Sequence, residues 1–336
     1  MRPEARDVQL RMARQDASLP LVSIITPAYN EEQYLAECIE SVLAQRYTNW
    51  DYTIVNNCSS DATLAIAQKY ADRDPRIRII SNSTLIPAVA NFNFALRQVS
   101  PRSKYCKMVL ADDWIFPECL ERMVATMEEH PSVGIVGAYA IANPWVVFAG
   151  LPYPSHFVPG REVCRQRLLG GPYVFGATSS VMFRSDLVRS HDPFYCEVST
   201  QSDSEACFEL LKNSDFGFVH QVLLYLRKRP KSMFAAAQEL NTAAPGVLRE
   251  VVTYGPYYLT PDEYTECLAS TLSKYYDFLA GSFLQRRRGE FWDYHRKRLK
   301  EEGIEFSRAR LTLAVIKRVL RSFRLRSRQA EPFWGL

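Results

Sequence analysis

One feature limits what this chain can fold into. Short apolar runs, each closed by Asn, Asp, Ser or Pro, alternate with stretches of helical periodicity. Leu21 to Thr26, Asp51 to Val55, Ile77 to Ser81 and Lys107 to Leu110 read as buried strands. Between them Tyr34, Leu35, Cys38, Ile39, Val42 and Leu43 recur at helical spacing. Leu64, Ala65 and Tyr70 mark a second helix, and Ala90 to Val99 a third. Strands alternating with helices mean βαβ units, hence an α/β fold with a mostly parallel central sheet flanked by helices. Ligands of such sheets bind where the strands' carboxyl ends share an edge.

Three of those ends are polar. Pro27 to Asn30 closes the first, with Asn30 and Gln33 at capping-box spacing. Asn56 to Asp61 closes the second, with turn and cap residues. The fourth ends in Asp112 and Asp113, before a helix that Pro117 is expected to open. Adjacent carboxylates repel, so they need a cation, hydrogen-bond donors or water. Hard divalent ions take such oxygens, usually together with substrate phosphates. An Asp-rich turn that caps the next helix is the plainer alternative. The chain carries no G-x-G-x-x-G and no G-x-x-x-x-G-K, so side chains or a metal would have to hold a phosphate-bearing ligand.

Further strands are expected over Val133 to Ala140, Ala177 to Arg184 and Phe216 to Leu226, and a helix over Gln201 to Asn213. Asn143 to Gly160 reads as an aromatic-rich loop, and His220 as a core histidine with its ring nitrogens satisfied. Beyond about Ser232 the pattern is helical. The domain reading is an N-terminal extension (1–19), an α/β domain (20–231) and a helical C-terminal region (232–336). The eight cysteines have no metal-ligand spacing and read as buried thiols. No run of apolar residues is long enough to span a bilayer, and the N-terminus has no secretory core. Arg308 to Arg328 holds eight basic residues and no acidic one, and taking these from a net charge of +4 leaves the rest at −4. That is a basic appendage on a mildly acidic body, not a nucleic-acid-binding surface.

Three segments together, Val22 to Glu31, Ile54 to Thr63 and Leu110 to Asp113, resemble family 2 glycosyltransferases of the GT-A fold over roughly residues 20–230. The resemblance implies inverting transfer of a sugar from a nucleotide-diphosphate-sugar donor to a hydroxyl of a glycan or lipid-linked acceptor, as in surface polysaccharide biosynthesis. Thr26, Pro27, Tyr29 and Glu31 then resemble the loop holding base and ribose. Asn57 or Asn56 stands where the family has a base-contacting Asp. Asn93 resembles a helix Asn near the donor. Asp112 resembles the last Asp of the metal motif, which implies Mg²⁺ or Mn²⁺ as a cofactor, with Asp113 beside it. Asp203 aligns with the carboxylate acting as base, with Glu205 as its alternative.

The chain departs from the family pattern in three places. Leu110 replaces the first metal-motif Asp, Asn replaces the base-contacting Asp, and Arg229 stands where a His is common. Arg227 or Arg229 could bind the diphosphate directly. These departures keep open a degenerate domain that binds nucleotide sugar or glycan without turnover. In the basic tail Leu311, Val315, Ile316, Val319, Leu320 and Phe323 share a helical face. The protein is expected in the cytoplasm, where such a helix either lies on an anionic membrane, making it peripheral at the inner face, or docks on the protein.

Overall fold

The computed structural model describes residues 19–199, 201–229 and 240–329, with the side chains of 322–329 left aside. Most of the N-terminal extension thus lies outside the described residues. The chain divides into two units at Lys228 and Arg229.

The first unit is built on a mixed sheet. Its strands are β1 (Val22–Ala28), β2 (Trp50–Asn56), β3 (Ile77–Ser81), β4 (Tyr105–Met108), β5 (Trp114–Ile115), β6 (Val133–Ala142), β7 (Trp145–Val147), β8 (Phe157–Val158), β9 (Val181–Arg184) and β10 (Asp215–Tyr225). The order is β3-β2-β1-β4-β9-β6-β10-β5, with β7 on β6 and β8 on β10. β1, β2, β3 and β4 run parallel, as do β6 and β10. β9 runs antiparallel to both β4 and β6, so it joins two parallel blocks. The helices are α1 (Leu35–Leu43), α2 (Thr63–Ala71), α3 (Ala88–Leu96), α4 (Cys119–Glu129), α5 (Gly160–Leu168), α6 (Ser185–Arg189) and α7 (Ser202–Leu210). Their one-sided stripes, such as Leu35, Cys38, Ile39 and Val42, close over Val22, Ile24, Tyr52 and Ile54.

Four local readings are corrected. The fourth strand ends at Met108 rather than Leu110, because Leu110 gives its N–H to the Ser179 hydroxyl at 3.0 Å instead of to the ladder. Pro117 does not open a helix. β5 intervenes, and α4 starts at Cys119, with Gln45 Oε1 accepting the Leu120 N–H at 3.0 Å. Asn30 caps no helix. It holds φ 53° and accepts the Ser60 N–H at 2.9 Å. Ala177 to Ser180 is not strand, because Thr178–Ser180 winds into one 3-10 turn before β9. Gly176, at φ 76°, allows that turn, since a Cβ there would sit 2.5 Å from Ser180 Cβ.

The second unit contains α8 (Ala243–Tyr258), α9 (Pro261–Leu284), α10 (Gly289–Glu301) and α11 (Arg308–Gln329). Its core is Leu248, Tyr275, Tyr276, Leu279, Phe291 and Leu299, against which Leu311 and Ala314 of α11 pack. α9 opens on a capping box in which Thr260 Oγ1 accepts the Glu263 N–H and Glu263 accepts the Thr260 N–H. No helix among the described residues is long and apolar enough to cross a membrane. Six of the eight cysteines are buried, while Cys58 and Cys196 are half-buried.

Candidate active site

The register sets Ala28 beside Asn56 and Ile25 beside Met108, so the ends of β1, β2 and β4 lie at one edge. The loops leaving β1 and β2 are clipped together. Glu31 N–H donates to Thr63 Oγ1 at 2.7 Å, and Glu32 N–H to Asp61 Oδ2 at 3.1 Å. Glu32 Oε2 returns the favour by accepting the Ala62 N–H at 3.0 Å. Tyr29 stands out from this frame, 45% exposed. Thr26 and Pro27 lie inside it. The Thr26 hydroxyl donates to the Val109 carbonyl at 2.7 Å and accepts from Tyr52 at 2.9 Å. Thr26 therefore ties β1 to the chain leaving β4.

Asn56 and Asn57 are both buried. Asn56 Oδ1 takes the Ser59 N–H at 3.1 Å, which shapes its own turn. Asn57 Oδ1 accepts from Asn82 Nδ2 at 2.8 Å and from the Ile86 N–H, and its Nδ2 donates to the Ile86 carbonyl at 2.8 Å. Asn82 also donates to Asn91 Oδ1 at 3.0 Å. Asn91 lies on α3, two residues before Asn93. Asn93 accepts the Tyr195 N–H at 2.7 Å and donates to the Tyr195 carbonyl at 2.9 Å. One helix thus holds the β2 loop through Asn91 and the segment before α7 through Asn93. Asn82 and Asn91 carried no sequence signal, because a buried amide chain is set by which loops meet.

Asp112 and Asp113 separate in duty. Asp113 is buried, accepting from Ser179 Oγ at 2.6 Å on one oxygen and from the Arg227 N–H at 3.0 Å on the other. It is a post between three loops. Asp112 is half-buried, and its backbone carbonyl accepts from Arg227 Nε at 3.1 Å. The Arg227 guanidinium also pairs with Glu37 and lies 4.5 Å over the Tyr34 ring. Trp114 stacks on Tyr225, with ring centroids 5.2 Å apart. Arg229 is the first residue of the second unit. Beneath Asp113 lies Lys107, fully buried, donating to the Ser179 carbonyl at 2.8 Å and to the Val181 carbonyl at 3.3 Å. Desolvation lowers the Lys107 pKa. Neither Ser179 nor Lys107 was a sequence candidate, since a lone Ser and a strand Lys are too common to single out.

Asp203 is the second residue of α7. Part of its surface is open, yet the atoms around its carboxyl withdraw enough water that desolvation raises its pKa. The Ser204 N–H, 2.9 Å from Oδ1, opposes that rise, and Glu205 adds to it. Glu205 is itself buried and accepts the Ser199 hydroxyl at 2.6 Å, which holds the turn into α7. A desolvated carboxylate is suited to taking a proton.

The fit of a divalent cation can be judged from the donors. Among the described residues no group of three or more His, Cys, Asp or Glu is placed to hold a metal. Asp112 is the half-buried carboxylate of the motif, beyond the end of β4. One carboxylate suits Mg²⁺ or Mn²⁺ only where substrate phosphates and water complete the shell.

Residues 23–191 match the family model for glycosyl transferase family 2. The chain belongs to this family. EpsE of Bacillus subtilis strain 168, named as a glycosyltransferase, is 40% identical over 119 residues, which is 35% of this chain and 42% of EpsE. TarS of Staphylococcus aureus strain MW2, a poly(ribitol-phosphate) β-N-acetylglucosaminyltransferase, is 26% identical over 186 residues, which is 54% of this chain and 31% of TarS. The matches span less than half the length of either relative. Among solved structures, S. aureus TarS 1–349 in complex with UDP-GlcNAc superposes with a TM-score of 0.62 at 19% identity, covering 84% of this chain and 80% of that one. The mannosyltransferase PcManGT from Pyrobaculum calidifontis, in complex with GDP-Man and Mn²⁺, gives 0.53 at 13% identity over 90% and 88% of the two chains. At these identities the likeness establishes the GT-A fold.

Proposed function

We propose that this chain is an inverting glycosyltransferase, moving a sugar from a nucleotide-diphosphate donor to an acceptor hydroxyl. The observation that carries the reading is the desolvated carboxylate of Asp203 at the start of α7, in a family 2 fold whose Asp112 leaves a strand's carboxyl edge. The acceptor oxygen attacks the anomeric carbon while the bond from that carbon to the diphosphate oxygen breaks. Asp203 takes the acceptor proton, and the nucleoside diphosphate leaves with the bonding pair. One displacement from the face opposite the leaving group inverts the centre. Tyr29, exposed beside the clipped loops, would contact the base, and the Asn57 N–H donates to the Ala28 carbonyl just before it. Asp112 would hold a divalent cation, which when bound offsets charge on the diphosphate. Arg227 steadies the Asp112 and Asp113 turn from the other side.

The names of relatives support a surface polymer as the acceptor class. TarS is named for poly(ribitol-phosphate) and TuaG of B. subtilis, 36% identical over 110 residues, for teichuronic acid biosynthesis. A lipid-linked form of such an acceptor would place the enzyme at the inner face of a membrane. The test is a panel of nucleotide sugars with product release as the readout. Turnover of one donor, lost in Asp203→Asn, is expected. A second reading, binding without turnover, is favoured by Asp113 being engaged in loop contacts and by Leu110 in the metal motif. Donor binding with equal, negligible release by wild type and Asp203→Asn would establish it instead.

A further inference from the structure

α11 has two apolar faces, and among the described residues one of them packs on the helical core. Leu311 and Ala314 pack on the helical core, and Arg318 locks the crossing by pairing with Asp277 of α9 at 3.0 Å. This corrects the face read from sequence, because Leu311 turns inward. The opposite stripe points outward. Leu313 is 53% exposed, Ile316 50% and Leu320 55%, one to two turns apart along the same side. Beside that stripe, between α9 and α11, lies a groove of about 480 Å³. Its floor includes Leu272, Tyr276 and Ala314, and its rim carries Lys274, Arg310, Lys317 and Arg321. Among the described residues, Arg321 approaches Asp277 at 3.8 Å, whereas no carboxylate pairs with Lys274, Arg310 or Lys317. The helix runs on through Arg324, Arg326 and Arg328.

We infer that this face of the helical unit is a docking surface for an anionic lipid bilayer, with phosphate headgroups in the basic groove and Leu313, Ile316 and Leu320 inserted among the acyl chains. Charge complementarity selects the occupant. A soluble polyanion would satisfy the cations and leave three large aliphatic side chains in water, whereas a bilayer surface uses both features at once. An apolar protein partner would leave the cations unanswered. Basic residues near an anionic surface attract it individually and additively, and an interfacial helix needs both that attraction and buried apolar area. The surface is distinct from the sugar-transfer chemistry. Only its link to a lipid-linked acceptor rests on the function proposed above.

The test is co-sedimentation of the full chain with vesicles of phosphatidylcholine alone or mixed with phosphatidylglycerol. Wild type is expected to sediment with the mixed vesicles and not with the neutral ones. Lys274→Gln, Arg310→Gln and Lys317→Gln together should weaken that partitioning about hundredfold, at roughly fivefold per basic residue. Leu313→Ser, Ile316→Ser and Leu320→Ser together should abolish sedimentation while leaving circular dichroism and the thermal midpoint as in wild type, because all three side chains are exposed. No binding by wild type, equal binding to neutral vesicles, or wild-type partitioning by either triple variant overturns the inference. Retention of soluble polyphosphate without vesicle binding reassigns the groove to a polyanion and overturns it too. Donor binding, followed by thermal shift in the same variants, is expected unchanged, so a failure of the enzyme reading is visible separately.

Discussion

Asp203 sits in the first turn of α7, where its carboxylate meets the Ser204 N–H and little water. Its raised pKa has two consequences. As a base it works only when ionised, so kcat/KM is expected to fall on the acid side with an apparent pKa above the ordinary aspartate value of about 3.9, measured as a pH–rate profile. Asp203→Asn should lower kcat by roughly 10²- to 10⁴-fold and remove that limb. For stability the sign is reversed. The fold disfavours the charged carboxylate, so ionisation costs stability as pH rises through the raised pKa, and the Asn variant should melt no lower than wild type at neutral pH. The neighbouring pair Asp112 and Asp113 separates by a different experiment. Asp113→Ala leaves the Ser179 hydroxyl and the Arg227 N–H without their acceptor and is expected to destabilise the first unit by about 1–3 kcal/mol in urea unfolding. Asp112→Asn should weaken the thermal shift caused by nucleotide sugar with Mn²⁺. Chelator should then have less effect on the variant than on wild type.

At the scale of elements, the paired loops and the capped helices carry the testable content. α3 uses two of its asparagines in opposite directions, Asn91 toward the β2 loop and Asn93 toward the segment before α7. Asn93 was a sequence candidate and Asn91 was not, and their partners lie elsewhere in the chain at Asn82 and Tyr195. In the second unit, α9 begins at Thr260 with both arms of its capping box made. Thr260→Ala should cost about 1 kcal/mol, read as a lower urea midpoint of the helical unit. The 3-10 turn at Thr178–Ser180 shows where local sequence reasoning fails. A run of small and β-branched residues looks like strand, yet the turn is needed to bring Ser179 to Leu110 and Asp113.

At the scale of the whole molecule, a titrating core residue ties stability to pH. His295 is buried in the helical unit, with Tyr275 Oη 2.6 Å from Nδ1 and the Leu240 carbonyl 3.0 Å from Nε2. That pattern holds the neutral ring with its proton on Nε2, and burial pushes the pKa down to about 4. A depressed folded pKa means the unfolded chain binds the proton first. Stability is therefore complete above about pH 6.5 and is lost as pH falls toward 4, by up to about 3 kcal/mol. Urea unfolding across that window should show the loss, and His295→Gln should flatten it while lowering stability at neutral pH.

Sequence alone determined the order of the β1 to β4 strands with their helices, the polar ends of β1 and β2, the acidic pair after β4 and the family, because periodicity and turn chemistry are local. It also exposed the basic amphipathic character of α11. The tertiary structure decided which members of each polar cluster are buried in contacts between loops. Thr26, Asn57 and Asp113 became posts because their hydrogen-bond partners arrive from distant segments. It decided that β9 enters antiparallel between two parallel blocks, and that Leu311 faces inward while Leu313 faces out. Burial and pairing depend on what the rest of the chain brings alongside, and no short window of sequence contains that information.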